Sequence, residues 1–311
     1  MRFAGQETYP KLELLDYAKP VAPVNKTNSP DTIDLHRFAP TLSASATLMK
    51  IQSICQFMES FAPRRLAEEW DNVGLIAGDR LGKVERVMTC LTVTPESADE
   101  AIAKQADLIV SHHPLPFRPI KRLTTDNTPS ELLWKLARAG VSVYSPHTSF
   151  DSASQGINQT LANKLGIEAP TPLQPIVDDP DELGSGRVGK FSTPVSLGDL
   201  ATRACSELAI GGLHVVGDQK KMITKVAVAC GSGGSFLDAA KRKGCDALVT
   251  GEATFHTALD AKANSVALIL VGHYASERFA VEDLAGHIKA EFDELEVWAS
   301  ADECDPLQWV S

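Results

Sequence analysis

The sequence predicts an α/β protein made of two related lobes, with mixed, largely parallel sheets facing a shared metal site. Three observations lead there. Short apolar runs alternate with helical segments from about residue 84 onward. The same element order returns after residue 225. Histidines and carboxylates recur just after the predicted strands of both series.

The first series opens with "MKIQSICQFMESFAP" (49–63), whose apolar spacing predicts an amphipathic helix. "VERVMTCLTVT" (84–94) reads as a strand, and "PESADEAIAKQA" (95–106) as a helix with Pro95 in its first turn, where a missing N–H costs little. "DLIVS" (107–111) is a buried strand. "PSELLWKLARAG" (129–140) is a helix stopped by Gly140, "VSVYS" (141–145) a strand, and "SQGINQTLANKLG" (154–166) a helix.

The second series matches it. "KVAVACGSG" (225–233) is a strand, "SFLDAAKRKG" (235–244) a helix, "DALVT" (246–250) a strand, "FHTALDAKANS" (255–265) a helix, "VALILVG" (266–272) a strand and 275–292 a helix. Aligned on these elements, His112-His113 falls opposite Gly251-Glu252. His147-x-x-x-Asp151 falls opposite His273-x-x-x-Glu277. The expected organisation is a disordered extension over 1–48, lobes at 49–167 and 191–311, and a loop-rich connection over 168–190. The span 49–311 can equally be one compact unit. The extension is rich in proline and polar residues, and Met49 is an alternative natural start.

Composition narrows the function classes. The formal charge of −10 repels phosphate backbones, so direct nucleic-acid binding is not expected. No apolar run approaches the roughly 20 residues of a membrane span. The six cysteines form no C-x-x-C pair and read as reduced thiols of a cytoplasmic protein.

In open parallel sheets, ligands gather at the carboxyl ends of strands. His112, His113, Asp151, His273 and Glu277 all fall there, and this mixture of imidazoles and carboxylates suits zinc, manganese, iron, cobalt or nickel. On a regular strand His112 and His113 would point to opposite faces. A turn before Pro114 can bring both rings toward one cavity, each serving a different ion, with Glu277 bridging. Glu252 and His256 are candidate proton-handling groups. For Glu252 and His147, orienting a ligand is weighed equally with ligation. "GSGGSF" (231–236) reads first as a tight strand-to-helix turn and second as an anion cradle. Trp70 is read as cavity wall or core, and Asp71 as cavity wall or a turn group.

The segments "AEEWDNVGLIAGD" (67–79), "DLIVSHHPL" (107–115), "HTSFD" (147–151), "GSGR" with Gly189, "GSGGS" (231–235), "LVTGEATFH" (248–256) and "GHYASE" (272–277) resemble the NGG-one-interacting-factor-three-like family. Its bacterial members are often labelled GTP cyclohydrolase I type 2 homologues. The resemblance spans about residues 50–295. It implies two divalent metal ions per chain on His112, His113, Asp151, His273 and Glu277, with His147 outside the ligand set. It also implies a toroidal homohexamer with its metal sites facing an internal cavity. The 168–224 stretch is too short for the domain that larger members insert. Two functions follow as expectations. One is a metal-dependent hydrolase of a small or nucleotide-like substrate, with ring opening of GTP suggested by the family label alone. The other is a non-catalytic metal-binding assembly for metal handling or protein interaction.

Overall fold

A computed structural model of the chain describes residues 48–308. All of the expected extension except Leu48 lies outside them. In chain order the elements are α1 (Ile51–Phe61), β1 (Gly74–Ala77), β2 (Arg86–Cys90), α2 (Pro95–Ala103), β3 (Leu108–Ser111), α3 (Thr128–Arg138), β4 (Ser142–Ser145), α4 (His147–Ser152) and α5 (Ile157–Lys164). Then come β5 (Glu168–Pro175), β6 (Gly184–Ser196), α6 (Leu197–Glu207), β7 (His214–Val216), β8 (Met222–Ala229), α7 (Leu237–Arg242) and β9 (Ala247–Thr250). The last are α8 (Phe255–Ala263), β10 (Ala267–Leu270), α9 (His273–Glu291) and β11 (Glu296–Ala299).

Local chemistry sets several helix starts. Thr94 and Ser97 form a reciprocal capping box at α2, with Pro95 at the first helical position. Asn127, Ser196 and Thr254 each accept a backbone N–H at the starts of α3, α6 and α8. α1 buries Ile51, Ile54, Cys55 and Met58, the expected amphipathic stripe.

The strands form two mixed sheets. One has the order β1-β4-β3-β2-β11, the other β5-β6-β8-β9-β10-β7. In the first, β4, β3, β2 and β11 run parallel and β1 is antiparallel. In the second, β8, β9 and β10 run parallel, while β6 and β7 flank them antiparallel. The repeat is therefore topological. α1-β1-β2-α2-β3-α3-β4, then α4 and α5, is matched by α6-β7-β8-α7-β9-α8-β10, then α9. Both copies carry the order first–fourth–third–second strand.

The central strands are buried on both faces, which explains their continuous apolar runs. Alternate residues serve different layers. Val87, Leu108 and Val110 of the first sheet and Val226, Val228 and Val249 of the second share one core with α1, α5, α6 and α9. Met88 and Ile109 face α2 and α3. Ala227 and Leu248 face α7 and α8. The layers thus run helices, sheet, helices, sheet, helices.

Two features depart from expectation. The stretch 168–190 is not loop-rich: it carries β5 and most of β6. Its prolines 170, 172 and 175 suit β5, an edge strand where some N–H groups have no ladder partner to lose. The last strand, β11, leaves the second series and pairs with β2 of the first sheet, so the first sheet is completed by residues 296–299.

Candidate metal site

β3 ends at Ser111, yet its ladder continues. The His112 N–H donates to the Cys90 carbonyl at 2.9 Å and the His113 N–H to the Leu91 carbonyl at 2.8 Å. Two hydroxyls then hold the histidine peptides, Ser145 Oγ donating to the His112 carbonyl and Ser111 Oγ to the His113 carbonyl. The two imidazoles turn toward each other, with centroids 4.9 Å apart. The alternation of a regular strand is broken at this point, as a turn before Pro114 allows.

The repeat supplies the other donors. α4 begins at His147 directly after β4, and α9 begins at His273 directly after β10. One helical turn on, Asp151 and Glu277 point back to the same place. Asp151 Oδ1 lies 3.6 Å from His112 Nε2, and Glu277 Oε1 lies 3.9 Å from it. Glu277 Oε2 lies 3.3 Å from His113 Nε2 and 3.2 Å from His273 Nε2. The His113 and His273 Nε2 atoms are 3.4 Å apart.

A carboxylate on the far nitrogen fixes the His273 ring. His273 Nδ1 lies 2.9 Å from Glu252 Oε1, and Ser232 Oγ donates to the same oxygen. These bonds from His273 and Ser232 hold the Glu252 carboxyl below its usual range. An ionised carboxylate only accepts, so His273 donates from Nδ1, and in the neutral ring Nε2 carries a lone pair. His113 Nδ1 is 2.7 Å from Thr92 Oγ1. The inward-facing nitrogens and carboxylate oxygens crowd one another. Glu277 Oε2 is buried without a hydrogen-bond partner. A donor set of this kind fits a divalent cation. His112, Asp151 and Glu277 form one group that could hold a metal ion, and His113, His273 and Glu277 form another.

The Glu277 and Glu252 carboxylates outweigh burial and push the His273 imidazole up to about 9. Burial and the Glu277 charge push the Asp151 carboxyl up. Burial also opposes the Glu277 charge, but His113 and His273 outweigh it and hold that carboxyl low. Burial pushes His112 well below the usual imidazole range, which keeps it a neutral donor.

A layer of residues around the donors carried little signal in the sequence. Cys230 Sγ donates to Asp151 Oδ1 at 3.1 Å. Asn158 spans the two chains of contact, accepting the Cys230 N–H and donating to the Asp151 carbonyl. The buried Arg187 guanidinium donates to the carbonyls of Ser152, Ala153, Gly184 and Gly186, tying the end of α4 to β6. His147 takes the left-handed backbone, at φ +30°. Its Nδ1 lies 2.7 Å from Asp71, which also accepts from the Thr148 N–H and hydroxyl. Asp71 is thus a histidine anchor, and Trp70 is exposed rather than core. His112, His113 and His147 form a third group close enough to share an ion. His256 sits exposed at the start of α8, outside the cavity beside the cluster.

The glycines of 231–236 are explained by packing. A Cβ on Gly233 would come within 2.5 Å of Thr250 Oγ1, and one on Gly234 within 2.9 Å of the Ala253 Cβ. The tight-turn reading accounts for them without an anion.

Residues 49–306 match the family model of Duf34/NIF3 (NGG1p interacting factor 3). The chain belongs to this family. A relative from Clostridium acetobutylicum, named GTP cyclohydrolase 1 type 2 homolog, is 35% identical over 229 residues, covering 74% of this chain and 85% of the relative. NIF3-like protein 1 of Drosophila melanogaster is 30% identical over 266 residues, covering 84% and 90%. Among solved structures, the Staphylococcus aureus hypothetical protein SA1388 aligns with a TM-score of 0.77 at 28% identity, over 85% of this chain and 100% of that one. HcgD from Methanocaldococcus jannaschii aligns at 0.70 with 27% identity, over 81% and 97%. Among the described residues, no helix is long and apolar enough to cross a membrane.

Proposed function

We propose that the cluster holds two divalent metal ions and that the chain is a metal-dependent hydrolase of a small or nucleotide-like substrate. The observation that carries this reading is the placement of Glu277. One of its oxygens faces His112 and the other faces His113 and His273, so a single carboxylate belongs to both donor groups. His112 and Asp151 would hold one ion, and His113 and His273 the other. Zinc, manganese, iron, cobalt and nickel all suit these donors.

When bound, such ions lower the pKa of water and stabilise negative charge developing on a substrate oxygen. The chain does the rest. Glu252 and Thr92 hold the His273 and His113 rings with Nε2 inward. Cys230 holds Asp151 toward His112. Leu115, Val93 and Leu132 give the adjoining cavity apolar walls. Glu252 is engaged by His273 and Ser232, so its part is to orient a donor rather than to shuttle protons freely. His256 is assigned no part.

On this reading the lobes 49–167 and 191–311 each bring part of the donor set: His112, His113 and Asp151 from the first, His273 and Glu277 from the second. The names of several relatives support a nucleotide-like substrate. A cytoplasmic homo-oligomer, a toroidal hexamer by family likeness, belongs to the same proposal.

The test is turnover by the metal-loaded chain on a panel of nucleotides, phosphoesters and uncharged ring compounds. Hydrolysis should vanish in His113→Ala and Glu277→Ala. If no compound is turned over, the hydrolase reading falls and the non-catalytic metal-binding assembly replaces it.

A further inference from the structure

The cavity beside the cluster has a volume of about 1040 Å³. Among the described residues that line it there is no lysine and no arginine. Besides histidines, its ionisable side chains are Glu68, Asp151, Glu277 and the buried thiol of Cys230. Proteins commonly hold phosphate chains with arginine or lysine, and neither lines this space. Asp151 and Glu277 also offset much of the charge that bound ions would bring. The lining is thus poorly matched to a polyphosphate.

One corner is built differently. Trp70 and Phe117 line the cavity with 60% and 48% of their surface exposed. Their ring centroids are 5.8 Å apart. Each stands nearly perpendicular to the His147 imidazole, at 5.9 and 5.6 Å. His147 cannot drift, because buried Asp71 holds its Nδ1 and the neighbouring Thr148 backbone. The held His147 ring lines the cavity beside two large aromatic faces that the fold does not cover. Exposed aromatic faces beside a fixed hydrogen-bonding group are what a flat heterocycle needs: stacking surface and one directional polar contact.

We propose that Trp70, Phe117 and His147 form a subsite for an uncharged planar heteroaromatic ring, and that the cavity discriminates against polyphosphate forms of the same compound. The inference rests on the hydrolase reading for calling this ligand a substrate, but its test is binding alone.

The experiment is calorimetric titration of the full-length, zinc-loaded chain with adenosine, guanosine and their free bases, and with ATP and GTP. At least one uncharged compound should bind more tightly than its triphosphate. Trp70→Ala and Phe117→Ala should each weaken it roughly tenfold, the scale of lost base–aromatic stacking, with bound zinc unchanged. Both side chains are substantially exposed, so the variants should fold. Triphosphates binding as tightly as the uncharged compounds would overturn the proposal, as would no binding by any uncharged ring, or wild-type affinity in both variants. A nucleoside that binds through Trp70 without turnover removes the hydrolase reading and leaves the subsite. Turnover of a compound indifferent to Trp70 and Phe117 does the reverse.

Discussion

A Cβ built on Gly231 would lie 2.3 Å from Glu277 Oε1 and 3.2 Å from His273 Nε2. Gly231 also has φ +58°, a conformation that side chains resist. Only glycine lets the backbone pass this close to the donors. Gly231→Ala is predicted to displace Glu277 and His273 and to lower metal affinity about 10-fold or more, the usual scale for disturbing a metal site's surroundings. Metal titration of the purified variant checks this. Wild-type affinity would show that the carboxylate has room to move.

Glu252 fixes the His273 tautomer from outside the donor set. Glu252→Ala should cost roughly 10–100-fold in affinity at the His113–His273 position. The His112–Asp151 position should change little. Competition titration with a chelator separates the two. Equal loss at both positions would mean that Glu252 acts through the fold rather than through His273.

Asp71 is a second anchor, with a stability signature. Its carboxylate is buried and accepts from His147 and from the Thr148 N–H and hydroxyl. Asp71→Ala leaves these buried donors unsatisfied and should destabilise the chain by about 1–3 kcal/mol. It also releases a residue held in the left-handed region. Urea unfolding measures the loss.

Acid sensitivity should trace in part to Glu100. Burial alone would raise its carboxyl. Lys104, Ser300 and the backbone N–H groups of Asp302 and Ala301 outweigh that and hold it at about 2. A folded pKa below the unfolded value of 4.5 gives stabilisation that is full above pH 4.5 and lost as pH falls toward 2. Glu100 joins α2 to the end of β11. Glu100→Gln should therefore flatten the acid limb of the stability–pH curve between those values. An unchanged limb would assign it to other carboxylates.

Much of the fold was legible because the central strands are short apolar runs bounded by helices, as in "DLIVS" and "DALVT". β5 was hidden because Pro170, Pro172 and Pro175 read as loop when edge position is unknown. β11 was hidden because four residues near the chain end carry no period, and only pairing with β2 makes them a strand. In the site, histidines and carboxylates at repeated strand ends stand out by type and spacing. Cys230, Asn158, Thr92 and Arg187 do not: such residues are common, and only long-range contacts bring them to the donors. The φ of His147 likewise leaves no mark in the sequence.

The central claim is that Glu277 is shared between two metal positions. The most direct measurement is the metal content of the purified chain and of Glu277→Gln and His112→Ala by elemental analysis. The account predicts two ions per chain in the wild type, loss of both in Glu277→Gln, and retention of one, at His113 and His273, in His112→Ala. One ion per wild-type chain, or two retained in Glu277→Gln, would contradict it.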